Sequence, residues 1–251
     1  MMMETSIYTR EFLYFKQLYE SGEAGRLQFM RGSHHQNMSM PGWPTYWYGL
    51  PPMWYSSHAV APLSEILRKP VCRVQCIGSG LIDAEYAGGY GSPFAAESAH
   101  LCFRDSDVRG EVTRTLFSTV RQYCETFDFY CSKTSFEWER CAGENPVIFT
   151  NFEDAEHIKA PDTDFMLPAE IGRFALKDQT VDPDQLSFIQ GSDHGGSHPH
   201  LVVEWIRAIQ ENRKARVHAR VAANWTMTGL LAHESAMRGG VAIDIPEWAQ
   251  F

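Results

Sequence analysis

The sequence predicts an α+β fold in which helices lie mostly on one face of an open, mainly antiparallel β-sheet. Residues 70–150 alternate strand-length apolar runs with short turns. Strands joined by short turns pair antiparallel, because parallel neighbours need long crossovers. Amphipathic helical patterns lie on either side of this region. No repeat or low-complexity linker interrupts the 251 residues, so we expect one main domain over residues 8–251.

The first 35 residues predict a strand, a helix and a second strand. Residues 1–7, MMMETSI, have the composition of a short buried strand. The hydroxyl of Thr9 can accept a backbone N–H and so cap a helix, which Gly22 and Gly25 would end. The strand LQFMRGSHH then runs to about His35.

Proline and glycine interrupt the middle of the chain. They predict irregular structure over residues 36–52, followed by a helix from about Met53 to Leu67. Residues 151–192 are polar, with few periodic apolar positions, and predict an irregular surface segment. Six segments have the length and composition of strands, namely PVCRVQCIGSG, PFAAESAHLCFR, EVTRTLFSTVR, ETFDFYCSK, TSFEWER and NPVIFT.

Two helices are predicted near the end of the chain. Pro199 suits the first turn of one of them, and the other runs from about Val221 to Arg238 and ends at Gly239-Gly240. The closing IDIPEW predicts a short exposed tail. Helical spacing places four apolar residues on the inward face of the first helix, namely Val202, Trp205, Ile206 and Ile209.

Composition excludes several classes of partner. The formal net charge is −9, which disfavours nucleic acid and anionic membranes, because both need a basic face. No apolar run approaches the ~18 residues of a membrane span. The start has no basic and apolar signal-peptide pattern, so we expect a cytoplasmic protein. The six cysteines contain no C-x-x-C pair and are expected to be reduced thiols.

The segment GSDHGGSHPH at residues 191–200 contains one carboxylate and three histidines just before a predicted helix. Helix N-termini attract hydroxyl and anionic oxygens, and histidine moves protons near neutral pH. Asp193, His194 and His198 are therefore candidate site residues. Helix capping with a tight turn explains the same pattern. A metal site would lack a clear third ligand, and none is expected.

Two further histidines border the irregular segment. His34 lies near the end of the second strand, and His58 lies in the helix that follows the segment. Each alone is compatible with a structural role. Together with the aromatic rings they predict a concave, sparsely polar pocket, in which rings stack on a sugar while imidazoles bind its hydroxyls. The aromatic candidates are Trp43, Tyr46 and Trp47.

A dinucleotide-binding motif is not expected in this chain. The nearest match is Gly78-Ser79-Gly80, whose third glycine position holds Asp83. The following residues resemble a turn rather than the helix that would receive a pyrophosphate.

Three segments in order resemble one family. YTREFLYFKQLYESGEAGRLQFMRGSH is similar to the start of the second domain in the glucose–fructose oxidoreductase/inositol dehydrogenase (Gfo/Idh/MocA) family. HGGSHPHLVVEWIRAI and AANWTMTGLLAHESAMRGGVAIDIPEW resemble the closing helices of that domain. The resemblance implies that residues 1–7 correspond to the last strand of a Rossmann domain, whose remainder is absent from this sequence.

The resemblance also implies a function. Members of the family use NAD or NADP bound by the Rossmann domain, so no cofactor is expected on this chain alone. Their second domain binds the sugar or polyol and often forms homo-oligomers through its sheet. His58 matches the active-site histidine of an Asp-x-x-x-His pattern, although Trp54 stands at the aspartate position. Tyr8 and Arg10 fall near the substrate.

We therefore expect the substrate-binding and catalytic domain of an NAD(P)-dependent sugar or polyol oxidoreductase. His58 and His194 are the catalytic candidates, with His58 as the general base or its helper. His194 would also hold substrate hydroxyls. Two alternatives remain: an NAD-dependent glycosidase-like domain, since that branch carries a similar His-Gly-Gly segment, and a non-catalytic sugar-binding or assembly module. The substrate-binding candidates are Tyr8, Arg10, His34, Trp43, Tyr46, Trp47, Asp193 and His198.

Overall fold

A computed structural model describes residues 1–176 and 193–247, without the side chain of Asp193. It confirms the α+β fold and the open, mainly antiparallel sheet. The helices are α1 Arg10–Glu20, α2 Ser57–Leu67, α3 Ala169–Gly172, α4 Asp193–Gln210 and α5 Ala219–Met237. The strands are β1 Leu27–His35, β2 Val71–Ser79, β3 Ala96–Phe103, β4 Arg109–Thr115, β5 Cys124–Cys131, β6 Ser135–Glu137, β7 Val147–Phe149, β8 Ala155–His157 and β9 Ile243–Asp244.

The nine strands form one sheet in the order β8-β7-β6-β5-β1-β4-β3-β2-β9. Every neighbouring pair is antiparallel except β1 and β4, which run parallel from Phe29↔Arg109 to His35↔Thr115. The crossover from β1 to β4 includes α2 and the hairpin of β2 and β3. The end of β1, with His34, therefore lies in the interior of the sheet between β4 and β5.

The main core lies between the sheet and helices α1, α2 and α5. Phe15 of α1 stacks on Phe129 of β5 with ring centroids 4.4 Å apart, and Trp225 of α5 is fully buried. Burial of such large apolar side chains is the dominant favourable contribution to folding. The apolar face of α1 packs in this core, and Thr9 Oγ1 accepts the Phe12 N–H at 3.2 Å as the predicted cap.

The predicted strand over residues 1–7 is wrong. A 3₁₀ turn forms at Ser6–Tyr8, and the Met2 N–H donates to the Val217 carbonyl at 2.9 Å. The N–H and hydroxyl of Ser6 both donate to Glu4 Oε1, at 3.2 and 2.9 Å. Short polar side chains compete with sheet hydrogen bonding in this way, so the segment turns locally. Its assignment to a Rossmann domain stays a prediction.

The predicted inward face of α4 is also wrong. Val202, Trp205 and Ile209 are 46%, 48% and 62% exposed, and Ile206 is half-buried. The opposite face is buried. Val203 packs with Leu167 and Ala175, and on the same side the His200 ring nitrogen bonds the Thr163 hydroxyl at 2.7 Å.

Three further differences concern the ends of elements. The helix predicted from Met53 begins as a 3₁₀ turn at Pro52–Tyr55 and becomes α-helical at Ser57. Ala155–His157 was expected to be irregular but pairs with β7. The predicted exposed tail contributes β9, which pairs with β2 and is followed by the buried Ile245. Strands of two or three residues at the edge of a sheet pair through only a few main-chain hydrogen bonds. Their composition therefore does not distinguish them from loops.

The six cysteines are free thiols. No helix among the described residues is long and apolar enough to cross a membrane. Self-association through the sheet stays a prediction.

Candidate active site

Helix α2 crosses strand β1 at a glycine, and this crossing brings two predicted histidines together. A Cβ at Gly32 would lie 2.1 Å from the Ala59 carbonyl oxygen, so only glycine allows the helix this close. His58 precedes Ala59, and His34 lies two residues beyond Gly32 on the strand. The two imidazole rings stand edge to face with centroids 5.2 Å apart.

His58 is paired with a carboxylate from the start of the chain. Its Nδ1 lies 2.6 Å from Glu4 Oε1, and Glu4 is only 1% exposed. Since Nδ1 is occupied, Nε2 is the nitrogen that faces the remaining polar groups. A carboxylate on one ring nitrogen orients an imidazole and stabilises its protonated form, so the pair has the arrangement of a general base and its partner.

A second carboxylate, Glu125 on β5, lies among three imidazoles, and its side chain is only 8% exposed. Its Oε1 is 3.9 Å from His34 Nε2 and 3.9 Å from His58 Nε2. Its Oε2 is 3.7 Å from His194 Nδ1. The Tyr123 hydroxyl donates to Oε1. We name Glu4, His34, His58, Glu125 and His194 the histidine–glutamate cluster.

The cluster separates the proton affinities of its histidines. Burial alone lowers the pKa of His58, but the charge and hydrogen bond of Glu4, with the charge of Glu125, raise it overall. Burial, with the positive charge of Arg114, holds the pKa of His34 well below its usual range. Burial raises the pKa of Glu125, yet His194, His58 and Tyr123 lower it overall. His34 is thus neutral near pH 7, while His58 gains a proton more readily.

A buried arginine supports the cluster from the neighbouring strand. The Arg114 guanidinium donates to the carbonyls of Tyr55 at 2.8 Å and His34 at 3.0 Å, and to Gln36 Oε1 at 3.0 Å. Burial lowers its pKa to about 9. These bonds tie the end of β1 to the segment before α2. Neither ring nitrogen of His34 makes a hydrogen bond with another described residue.

The His-Gly-Gly segment enters α4 through a left-handed turn. His194, Gly195 and Gly196 have φ values of 50°, 60° and 79°. A Cβ at Gly196 would lie 2.9 Å from an Arg10 guanidinium nitrogen. Arg10 is buried and donates to Asp162 at 2.8 Å and to the Ala175 carbonyl at 2.7 Å. The predicted substrate residue Arg10 thus packs beneath the turn that presents His194.

A cavity of about 520 Å³ opens beside the cluster. Arg10, Tyr123, Glu125, Trp138 and His194 contribute to its lining. The volume falls within the usual range for small-molecule sites. Polar groups of the cluster therefore have access to a space that can hold a small polyhydroxylated molecule.

The predicted aromatic residues extend outward from the cluster. Tyr55 contacts the rings of both His34 and His58 at centroid distances of 5.5 Å. Trp47 lies 5.6 Å from Tyr55, and Trp43 and Tyr46 contact Trp47 at 6.5 and 5.9 Å. Trp43 and Tyr46 are exposed. The aromatic loop is thus joined ring to ring to the buried histidines.

The remaining candidates lie elsewhere or at the margin. The His198 ring is 5.4 Å from His194 and half-buried. Tyr8 lies outside the cluster, stacks on His200 with centroids 6.0 Å apart, and lines a different cavity. The side chain of Asp193 lies outside the described residues, as do residues 177–192 of the predicted irregular segment.

Sequence reasoning missed Glu4 and Glu125, as well as Tyr55 and Tyr123. A signal existed for Glu4, because a carboxylate in a segment expected to be buried needs a partner. Glu125 lies opposite His34 in the antiparallel register of β1 and β5. That register depends on which strands pair, so the strand pattern alone could not reveal it.

The described residues do not form a Rossmann-type dinucleotide site. Gly78 lies within β2, which pairs antiparallel with β3, and the next turn of helix is only the 3₁₀ segment Ala84–Tyr86. The pyrophosphate of a dinucleotide needs a strand, a glycine loop and a helix N-terminus in sequence. Within residues 1–176 and 193–247, no group of three or more His, Cys, Asp or Glu is arranged to hold a metal ion.

The fold of this chain is similar to those of several oxidoreductases of known structure. Levoglucosan dehydrogenase, in a complex with NADH and levoglucosan, matches with a TM-score of 0.67 and 16% identity over 97% of this chain and 65% of its own. An oxidoreductase domain protein from Kribbella flavida matches with a TM-score of 0.67 and 19% identity, over 97% and 64%. An inositol dehydrogenase homologue from Azotobacter vinelandii, complexed with NADH and myo-inositol, has a TM-score of 0.63 and 13% identity, over 96% and 63%.

The chain has the fold of these oxidoreductases. They are proteins of the type that the sequence resembles, so the fold implied by that resemblance is confirmed. The chain spans less than two thirds of the length of each of the three. No protein-family model and no curated protein sequence matches it.

Proposed function

We propose that this chain supplies the substrate-binding and proton-transferring part of an NAD(P)-dependent oxidoreductase that acts on a hydroxyl group of a sugar or polyol. The observation that carries the proposal is the 2.6 Å contact between Glu4 and His58. It directs His58 Nε2 toward a polar cluster that adjoins a cavity. The oxidoreductase fold and the sugar and polyol ligands of two structural neighbours support the assignment.

In the proposed reaction, His58 acts on the hydroxyl whose carbon is oxidised. Nε2 accepts the hydroxyl proton, and Glu4 stabilises the imidazolium that forms. A positioned general base contributes typically about 10²–10⁴-fold to the rate. Burial lowers the pKa of His58, but Glu4 and Glu125 raise it overall, so the base form is reached at a higher pH than for an ordinary histidine. Oxidation is therefore expected to accelerate as pH rises through that pKa.

The other groups of the site have binding roles in this proposal. Glu125 and His194 line the cavity and offer hydrogen-bonding partners to substrate hydroxyls. Neutral His34 is fully buried and outside the cavity lining, so we assign it a role in positioning His58 and Glu125 rather than a substrate contact. The rings of Trp47 and Trp43 provide apolar faces for a sugar ring. Arg10 also lines this cavity, but its guanidinium already bonds Asp162 and the Ala175 carbonyl. His198 and Tyr8 are not among the lining residues, so we assign them no substrate contact.

The nicotinamide cofactor would be held outside the described residues, because those residues lack a Rossmann-type site. When bound, it would accept hydride from the substrate carbon. The described residues of this chain would bind and orient the substrate and remove its proton.

Calorimetry on the chain tests the binding half of this proposal. We expect saturable binding of at least one member of a sugar and polyol panel, with a micromolar to millimolar dissociation constant. Loss of binding in Glu125→Gln, with retention in the exposed control Glu156→Gln, would assign binding to the cluster. If no sugar or polyol binds at ten-millimolar concentration, the proposal is wrong.

A kinetic assay tests the chemical half. NAD(P)H formation is followed with each sugar that binds, for the chain fused to a Rossmann domain and for the His58→Gln variant of the same fusion. Loss of activity in the variant with retained sugar binding supports the base role. Reducing-sugar release from a glycoside without net NAD(P)H would instead favour the glycosidase-like alternative.

A further inference from the structure

A second cavity, of about 640 Å³, is unusually basic for this acidic chain. It lies between the 3₁₀ turn Ser6–Tyr8, the end of α2 and the loop that joins α4 to α5. Five of its twelve lining residues are Lys or Arg and two are Glu, a formal charge of +3 in a chain whose net charge is −9. We call it the basic cavity. Its cations are Lys16, Arg68, Arg213, Lys214 and Arg216.

The two carboxylates of the basic cavity are already paired. Glu65 accepts a hydrogen bond from Arg216 Nε at 2.8 Å and lies 3.4 Å from Lys16 Nζ. Glu204 accepts bonds from Arg213 at 2.7 and 2.9 Å. These pairs fix the walls of the cavity. They leave no carboxylate among its lining residues for the remaining cations.

Arg68 and Lys214 are those remaining cations. Neither side chain makes a hydrogen bond or ion pair with another described residue. The surplus charge also affects His218 in the same lining: burial, then the charges of Lys214 and Arg220, lower its pKa. The cavity thus presents two unpaired cations in a region where a further positive charge is disfavoured.

The rest of the lining is apolar and aromatic. Ile7 and Val221 are buried, and the Tyr8 ring is fixed by stacking on His200. The volume is in the range of sites for whole small molecules rather than for a single inorganic ion. The basic cavity has unpaired cations in one part and apolar surface in another. This combination suits a ligand with an anionic group and an organic body.

We propose that the basic cavity binds a small organic phosphate. Arg68 and Lys214 hold the phosphate group, which carries about −1.5 to −2 charges near pH 7, and Tyr8 contacts the organic body. This site is separate from the histidine–glutamate cluster and does not depend on the function proposed for it. A concave space of this size favours a small molecule over an acidic protein segment, which would need a more extended surface.

Calorimetry with ribose 5-phosphate, AMP and adenosine tests the proposal. We expect the two phosphates to bind saturably and adenosine to bind at least tenfold more weakly, because each lost charged contact weakens binding by about tenfold. Binding of the phosphates should also weaken as ionic strength rises. Arg68→Gln/Lys214→Gln should weaken phosphate binding tenfold or more. Lys133→Gln/Lys159→Gln, which removes two exposed cations outside the cavity, should leave it unchanged.

Lys214→Gln alone serves as a second variant, since Arg68 ends α2 in a left-handed conformation and its replacement can disturb the helix end. Equal binding of AMP and adenosine would overturn the proposal, as would equal phosphate binding by the two double variants. Absence of phosphate binding at millimolar concentration and low salt would do the same. Displacement of AMP by an oligoglutamate peptide that binds more tightly would identify a protein-docking surface instead.

Discussion

Glu4 and His58 are 54 positions apart in the chain, yet the carboxylate and the imidazole meet at 2.6 Å in the interior. The contact joins the first residues of the protein to the first turn of α2. It also determines which imidazole nitrogen faces the cluster. The chemistry that we propose for the site depends on this pair more than on any other.

Glu4→Gln should lower the pKa of His58, because the substitution removes the negative charge that raises it. NMR titration of the His58 ring checks this directly, without any activity. We expect His58 of the parent protein to titrate above its ordinary value of about 6.5, and that of the variant to titrate lower. The pH dependence of substrate oxidation should move in the same direction. An unchanged His58 titration in Glu4→Gln would contradict the assigned pairing, and the exposed Glu156→Gln is the control.

Gly32→Ala should destabilise the fold, because the new Cβ would lie 2.1 Å from the Ala59 carbonyl oxygen and force α2 away from β1. Overpacking of this kind costs about 1–3 kcal/mol in the free energy of unfolding. Urea denaturation measures the loss. Gly89→Ala is the matched control, since no atom lies within 4 Å of its new Cβ. Equal stability of the two variants would show that the helix does not cross the strand at Gly32.

Acid should destabilise the protein through its buried neutral histidines. Burial, with the charge of Arg10, lowers the pKa of His200 to about 4. Between pH 6.5 and 4 the unfolded chain binds a proton at this position that the folded chain does not, so the free energy of unfolding falls as pH falls. His200 alone should account for about 1–3 kcal/mol.

His200→Gln tests that contribution by removing the titrating group. The variant should show a shallower dependence of the unfolding free energy on pH across this window, even if it is less stable at pH 7. The exposed His100→Gln should retain the slope of the parent protein. A parent-like slope in His200→Gln would remove His200 from the explanation.

Gly196→Ala should disturb the left-handed turn that carries His194. The position has a φ of +79°, and a Cβ there would approach the Arg10 guanidinium and the Ala175 carbonyl to 2.9 Å each. We expect a loss of about 1–3 kcal/mol in stability and a change in the His194 NMR signal. Gly42→Ala, which also has positive φ but no nearby atom, separates backbone strain from the steric effect.

The sequence by itself determined the local elements and the class of the fold. Thr9 caps α1 as expected, because its hydroxyl accepts a hydrogen bond from a backbone N–H only three residues away. The strand ending at His35 and the irregular aromatic segment followed from composition and from proline and glycine. Short turns between strand-like runs correctly implied a mainly antiparallel sheet. All of these depend on interactions between residues close in the chain.

Only the tertiary structure decided which polar groups meet. The strand expected at residues 1–7 is instead a turn whose carboxylate reaches His58, and Glu125 joins the site because β1 pairs with β5. Helix α4 buries the face that carries Val203 and His200, which contact Ala175 and Thr163, although the apolar spacing favoured the opposite face. Strand pairing, helix rotation and carboxylate partnership are all settled by contacts between segments far apart in the chain. Local sequence patterns carry no information about those distances, so the sequence could suggest His34, His58 and His194 but not the two glutamates that connect them.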